Sequence, residues 1–330
     1  MCEVKVSVII PFYNVEKFIR RCTASLMEQT LKEVEYIFVD DASPDSSLAY
    51  LKEVLDSYPE RKPFVKILTH NPNKGLPAAR NTGLAEAQGE YIFHCDSDDF
   101  VEPDMLERMY HAAKEQDADF VWADWFLSYE KAERKMKQPS YASPMDALKG
   151  MLSDGMKYNV WNKLVKRELY VQNGIKFPSG HSMGEDMTMI RLAACAQKVA
   201  YVDRPFYHYV KTNEEAMTQV FNERKLADIR FNVDLTLDFL QQKGLTDALA
   251  KEIAFFKLNT KLPFLITDDW NSYRRWGEWY PEANAMIMQN TQLPLRTRLL
   301  QKLASYKMYP CVWMYYKIVY QLLYQLIYQR

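Results

Sequence analysis

Asp96, Asp98 and Asp99, interrupted only by Ser97, crowd three carboxylates into four residues of a 330-residue chain. Unpaired, they would repel and raise one another's pKa. A divalent cation relieves that repulsion, and oxygen-only ligands suit Mn²⁺ or Mg²⁺. Sites of this kind keep coordination positions for substrate phosphates, so the substrate they suggest is a nucleoside diphosphate compound. The competing reading is an acidic N-cap for the following helical pattern at 103–117, stabilised by its dipole. A second acidic pair, Glu185-Asp186, follows Gly184 at the start of another helical run.

The elements that must carry these groups alternate. Strand-like runs at 4–10, 34–39, 64–69, 90–95 and 119–123 are short and rich in Val, Ile, Phe and Tyr. Helical patterns at 16–29, 44–57, 77–88 and 103–117 separate them, with Pro44, Pro77 and Pro103 as first-turn prolines. Such alternation predicts βαβ units and a mainly parallel sheet, whose ligands sit beyond the carboxyl ends of the strands. Those ends read Pro11-Phe12-Tyr13-Asn14, Asp40-Asp41-Ala42-Ser43, Asn73-Lys74-Gly75 with Arg80-Asn81 beyond, and Asp96-Ser97-Asp98-Asp99. Four consecutive strand ends thus bring acids, cations and an aromatic ring to one edge, which a purely structural sheet does not need. The pattern is irregular from 125 to 183, strand-like again at 199–202 and 205–210, and helical at 222–242, 246–267, 272–290 and 295–330.

In this order, Val-Ser-Val-Ile-Ile-Pro-Phe-Tyr-Asn (6–14), Phe-Val-Asp-Asp-Ala-Ser (38–43), Asn-Lys-Gly-Leu-Pro-Ala-Ala-Arg-Asn-Thr-Gly (73–83) and Gly-Glu-Tyr-Ile-Phe-His-Cys-Asp-Ser-Asp-Asp (89–99) resemble the inverting family 2 glycosyltransferases of bacterial capsule, O-antigen and exopolysaccharide pathways. The resemblance implies a GT-A fold, an α/β nucleotide-binding sandwich, over residues 1–215, with a nucleotide half at 1–123 and an acceptor half at 124–215. A helical region follows at 216–330. Pro11, Tyr13 and Asn14 would border the nucleobase and ribose, and Asp41 would hydrogen-bond the base, usually uracil. Lys74 and Arg80 would lie near the base and diphosphate. Asp96 would contact ribose or metal beside Ser97, and Asp98 would bind the Mn²⁺ or Mg²⁺ that bridges the donor phosphates. The family's Glu-Asp pair falls on Glu185 and Asp186, with Asp186 as the base that deprotonates the acceptor hydroxyl and Glu185 as the runner-up.

Val160-Trp161-Asn162-Lys163-Leu164 resembles a family segment beside the acceptor cleft. There Trp161 could stack on a sugar and Lys163 could meet a phosphate, although burial of Trp161 is an equal alternative. His181 is a further acceptor-side candidate, whereas His94 and His208 read as structural. The Gln-x-x-Arg-Trp motif of processive synthases is missing: Arg275-Trp276 is present, but Ser272 occupies the Gln position. One sugar per acceptor is therefore the expectation. A sugar nucleotidyltransferase or an inactive membrane-attached scaffold are the alternatives.

Composition bounds the partners. The formal charge is −1, hydrophobic residues make up 48% and charged residues 26%, which excludes disordered and collagen-like chains and argues against nucleic acid. Five scattered Cys (Cys2, Cys22, Cys95, Cys195, Cys311) with no CxxC pair fit a reduced cytoplasmic setting, and the strand pattern at residue 4 leaves no room for a signal peptide. No acid follows Glu282, while Arg296, Arg298, Lys302, Lys307, Lys317 and Arg330 do. Residues 295–330 therefore read as a basic, Tyr-rich amphipathic tail. It could rest on the inner membrane near a polyprenyl-diphosphate-linked or other glycan acceptor, or pack in a homodimer.

Overall fold

β1 (Val6–Phe12) and β2 (Val34–Asp40) are buried along their whole length. Continuous apolar runs without alternation are what a parallel strand covered on both faces requires. In the computed structural model, which describes residues 3–211 and 223–323 apart from the side chains of 320–323, they pair in parallel with Val6 opposite Val34. β3 (Val65–Thr69) joins the outer edge of β2 and β4 (Tyr91–His94) the other side of β1, both parallel. The order β3-β2-β1-β4 reverses direction between β1 and β4, so the crevice past their carboxyl ends is the expected ligand position.

Helices α1 (Ile19–Met27), α2 (Ser47–Asp56), α3 (Leu76–Glu86) and α4 (Met105–Glu115) connect or follow these strands. On α1 the buried positions Ile19, Cys22, Thr23, Leu26 and Met27 recur at helical spacing and form a single face. α3 opens with Pro77 in its first turn. It lies so close to β1 that a Cβ on Gly83 would stand 2.4 Å from Ile9 Cγ2. Only glycine permits this approach, which seats Arg80, one turn earlier, against the sheet.

Beyond β4 the sheet is mixed rather than parallel. β5 (Phe100–Val101), β6 (Phe120–Ser128), β7 (Glu133–Met136), β8 (Lys163–Lys166) and β9 (Val199–Val210) complete the order β3-β2-β1-β4-β8-β6-β9-β5, with β7 on the side of β6. β8 runs antiparallel to both β4 and β6, β5 antiparallel to β9, and β6 parallel to β9. The mainly parallel expectation holds for β1–β4 and for the β6–β9 pair, while β5, β7 and β8 run the other way. The two strand pieces expected at 199–202 and 205–210 are one strand, whose register shifts opposite Asp124 near Pro205, a residue with no N–H to donate.

Two compact units emerge, residues 1–148 with 158–236, and 149–157 with 237–330. The boundary expected at 215 lies outside the described residues. α5 (Pro144–Leu152), α6 (Arg167–Gln172), α7 (Thr188–Ala193) and α8 (Glu223–Gln242) precede α9 (Ala250–Lys261), α10 (Trp270–Glu278), α11 (Leu295–Ser305) and α12 (Tyr309–Tyr315). The long helices expected at 246–267 and 272–290 are shorter, because Pro263 and Pro281 turn the chain into 3₁₀ segments. α10 is capped by Asp269, which accepts from the N–H groups of Asn271 and Ser272. In the second unit Lys261 is fully buried over the Trp276 ring, 4.0 Å from its centroid, and donates to the Trp279 carbonyl at 2.7 Å and to Asn284 Oδ1 at 2.8 Å.

Candidate active site

At the end of β1, Pro11 is buried in the strand while Tyr13 and Asn14 turn outward, Tyr13 half exposed. Asn14 adopts a positive φ of 55° and its N–H donates to Ser43 Oγ at 3.4 Å, which ties the first strand end to the second. There Asp40 Oδ1 accepts the Ser43 N–H at 2.9 Å. Asp41 is buried and committed inward. It accepts from Lys74 N at 2.8 Å and Gly75 N at 2.7 Å, and one oxygen lies 2.7 Å from His70 Nδ1. His70 in turn reaches Thr82 Oγ1 on α3 at 2.9 Å. Asp41 thus organises the 70–75 loop, and Asp40 at the strand terminus is the acid with an oxygen uncommitted to a turn or loop. Sequence reasoning missed His70, since nothing in its neighbourhood marks a partner 29 residues away.

Arg80 is the centre of the arrangement. Its guanidinium is 1% exposed and donates from Nη2 to Asp96 Oδ1 at 2.8 Å. Its Nε and Nη1 are buried without a hydrogen-bond partner. Burial opposes its charge, but Asp96, Glu185 and Asp186 together hold the guanidinium more firmly protonated than usual. One buried cation therefore faces acids from two segments that lie 89 residues apart at Asp96 and Glu185.

The Asp96–Asp99 turn divides its labour. Asp99 is buried and accepts from Tyr207 Oη at 2.7 Å and Val210 N at 2.7 Å, so it fastens β9 and caps no helix. Burial, then its neighbours Asp98 and Asp96, push its carboxyl well above the ordinary range. The Tyr207 hydroxyl also accepts the Asp96 N–H at 3.0 Å. Ser97 is buried, whereas Asp96 and Asp98 keep partial exposure. Among the described residues no three acidic, His or Cys side chains close around a metal position. Two partly exposed carboxylates, one of them already taking the Arg80 guanidinium, are the number through which Mg²⁺ and Mn²⁺ are held when substrate phosphates supply the rest.

Glu185 and Asp186 sit in a 3₁₀ turn, Glu185–Met187, entered through Gly184 at φ 88°. Asn232 crowds that glycine, 3.3 Å from where a Cβ would stand. Burial is the main force raising both carboxyls. Glu185 is pushed to about 8, with the Asp186 charge adding to it, and Asp186 to about 6, with Arg80 opposing the rise. Asp186 Oδ1 is buried with no hydrogen-bond partner. A carboxylate half relieved by a cation, raised toward neutrality and carrying an unfilled acceptor position is suited to take a proton.

The acceptor-side expectations change. Trp161 is buried and stacks on Tyr207 at 4.5 Å and Tyr209 at 5.2 Å, with Trp125 edge-on at 5.0 Å, so it is a core residue. Lys163 is also fully buried on β8, its ammonium 2.6 Å from Asn162 Oδ1, which leaves it no route to an external phosphate. Burial lowers its pKa to about 7, with the Asp186 carboxylate pulling the other way. His181 is partly exposed, stacks on Phe231 at 3.8 Å and meets Asp228 Oδ1 at 3.1 Å on α8. His208 lies between Glu133 and Glu102 at 2.7 and 2.9 Å, and His94 packs on Phe177; both are structural. Lys74 has an exposed side chain beyond the loop that Asp41 holds.

The profile of glycosyl transferase family 2 matches residues 7–187, more than half of the chain, which includes Asp40, Asp41, Arg80, Asp96–Asp99, Glu185 and Asp186. The chain belongs to glycosyl transferase family 2. It is 28% identical over 314 residues to the uncharacterized glycosyltransferase EpsJ of Bacillus subtilis, covering 92% of this chain and 84% of that one. A cholesterol galactosyltransferase of Borreliella burgdorferi is 35% identical over 218 residues, 62% of this chain and 59% of its own. Among solved structures, S. aureus TarS 1-349 in complex with UDP-GlcNAc superposes with a TM-score of 0.70 at 21% identity, covering 95% of this chain and 91% of that one. A mannosyltransferase from Pyrobaculum calidifontis, in complex with GDP-Man and Mn²⁺, gives 0.55 at 17% identity, covering 95% and 83%. The GT-A-like architecture is thereby shown, with its helical C-terminal region.

Proposed function

We propose that this glycosyltransferase transfers one sugar at a time, with inversion, from a UDP-sugar to a glycan or polyprenyl-diphosphate-linked acceptor of the cell surface. The observation that carries this reading is the convergence of Asp96, Glu185 and Asp186 on the buried Arg80 at the topological switch point. It supports a reading in which Asp96 serves the donor side and Asp186 serves as base, both under the influence of the same cation. The UDP-GlcNAc complex of TarS supports a uridine donor, and the Mn²⁺ complex of the mannosyltransferase supports a divalent cation. Asp98 and Asp96 would hold Mn²⁺ or Mg²⁺, which when bound supplies charge stabilisation for a departing diphosphate.

The chain's own residues do the rest. Tyr13 and Asn14 border the base and ribose, and the Asp40-Asp41 strand end supplies the base contact, with Asp41 also holding the 70–75 loop. Lys74, exposed on that loop, lies on the donor's phosphate side. Ser97 and Asp99 fix the turn from below. Asp186 removes the acceptor hydroxyl's proton as that oxygen attacks the anomeric carbon from the face opposite the nucleotide. Glu185 stays largely protonated beside it, its carboxyl raised by burial and by the Asp186 charge. His181 lies on the acceptor side. The GT-A domain at 1–215 and the helical region at 216–330 work as donor-binding and supporting parts in the cytoplasm. Among the described residues no helix is long and apolar enough to cross a membrane.

UDP release from a panel of UDP-sugars with Mn²⁺ tests the activity, and a wild type that releases none would favour an inactive scaffold. Asp186→Asn should lower transfer by about 10²–10⁴-fold while UDP still binds. Near-wild-type turnover would refute the base. Asp98→Ala should lose both activity and its response to added Mn²⁺, and chelator-insensitive turnover would refute the metal position.

A further inference from the structure

We infer that the α11–α12 surface of the second unit is a docking face for an anionic lipid headgroup layer. On α11, Leu295, Leu299 and the following Tyr306 are exposed and recur at helical spacing, while Leu300, Gln301 and Ala304 on the opposite face are buried. Met308 in the turn before α12, Trp313 and Met314 on α12, and Ile318 in the π-helical segment Tyr316–Leu323 that follows continue the exposed series. Apolar side chains of this size normally pack inward, and seven of them left outward in one stretch form a patch with an external occupant.

Charge selects the occupant. Arg296 and Lys307 are exposed among these residues and Lys302 is partly exposed, while Arg298 donates to the Met288 carbonyl at 2.9 Å and Lys317 pairs with Asp268 at 3.1 Å; the sequence holds no acid after Glu282. Lys302 lies over the Tyr306 ring at 4.9 Å and Lys317 over Trp313 at 5.6 Å, so cations and aromatic rings share one surface. Tyr and Trp beside Lys and Arg is the arrangement favoured at a headgroup boundary, where rings enter the interface and cations meet phosphate. A second copy docking through the same patch would bring like charges together, which opposes an isologous dimer.

The inference is independent of the transfer reading, because vesicle binding and turnover can each fail alone. The test is flotation of the full chain with vesicles of phosphatidylglycerol and phosphatidylcholine, and with phosphatidylcholine alone. Wild type should float with the anionic vesicles and bind the neutral ones at least tenfold more weakly. Neutralising Arg296 and Lys307 to Ser should weaken binding by about fivefold per cation. Leu299→Ser with Met314→Ser should weaken it on both vesicle types, with circular dichroism and UDP-dependent thermal shift unchanged. Wild type that stays with the soluble fraction, or variants that float as it does, would overturn the proposal. So would a wild-type dimer in sedimentation that these substitutions dissociate, since the patch would then be an interface between copies.

Discussion

Replacing Arg80 by Met tests whether one buried cation governs both carboxylate sets. The Arg80–Asp96 contact is 2.8 Å, which at an effective dielectric of ~20 corresponds to about 6 kcal/mol of attraction before desolvation is counted. Met removes the attraction but also the cost of burying a guanidinium. Asp96 keeps a quarter of its side-chain exposure and can rehydrate, so the loss should fall at the low end of the range for breaking a buried pair, about 3 kcal/mol. For a unit of this size that is roughly 6–12 °C in Tm. The same substitution deprives Asp186 of the cation that restrains its upward shift. An interaction of only ~1.4 kcal/mol moves a pKa by one unit, so with Asp186 as the proposed base the acid limb of the pH–rate profile should rise by about one unit or more. The assay is UDP release from about pH 5 to about pH 9, paired with thermal denaturation, using Arg80→Lys as the charge-retaining control. Lys should hold the limb nearer its original position while losing stability, because one ammonium cannot reproduce a planar fork. An R80M enzyme with an unmoved acid limb and an unmoved Tm would refute the reasoning.

Two more perturbations follow from groups away from the substrate. Tyr207→Phe removes the hydroxyl that donates to Asp99 and accepts from Asp96 N, leaving a buried acid short of a donor; a loss of about 1–3 kcal/mol by denaturant titration is expected, and an unchanged midpoint would refute the latch. Lys163 has its pKa lowered by burial to about 7, so between about pH 7 and pH 10 the unfolded chain binds one more proton than the folded one. The stability of wild type relative to Lys163→Met should therefore rise with pH across that window, and a flat difference in thermal midpoints would show that the ammonium stays charged inside.

The strand ends were legible because Pro, Gly and Asn punctuate buried apolar runs, and the acids that follow such runs have few places to go but the carboxyl edge. Hydrogen-bond direction was not legible. Asp40 and Asp41 are adjacent acids with opposite assignments, decided by backbone N–H groups of Lys74 and Gly75 more than 30 residues on. Asp99 was ambiguous between a metal ligand and a cap until Tyr207, 108 residues away, claimed it. Trp161 and Lys163 carried the correct motif but the wrong exposure, because β8 slots antiparallel between β4 and β6 in the middle of the sheet. An isolated run such as Lys163–Lys166 says nothing about which strands will flank it.

The membership of residues 149–157 in the helical unit has a consequence for the order in which this protein can be completed. The chain commits Met151, Leu152 and Met156 to burial while the remainder of their unit, residues 237–330, is still unsynthesised. On the ribosome these side chains must wait for some 80 residues of intervening chain before their partners exist. A shortened protein ending near 236 would keep every candidate catalytic residue and would leave residues 149–157 without the rest of their unit. The first unit is therefore not separable from the second at a single cut.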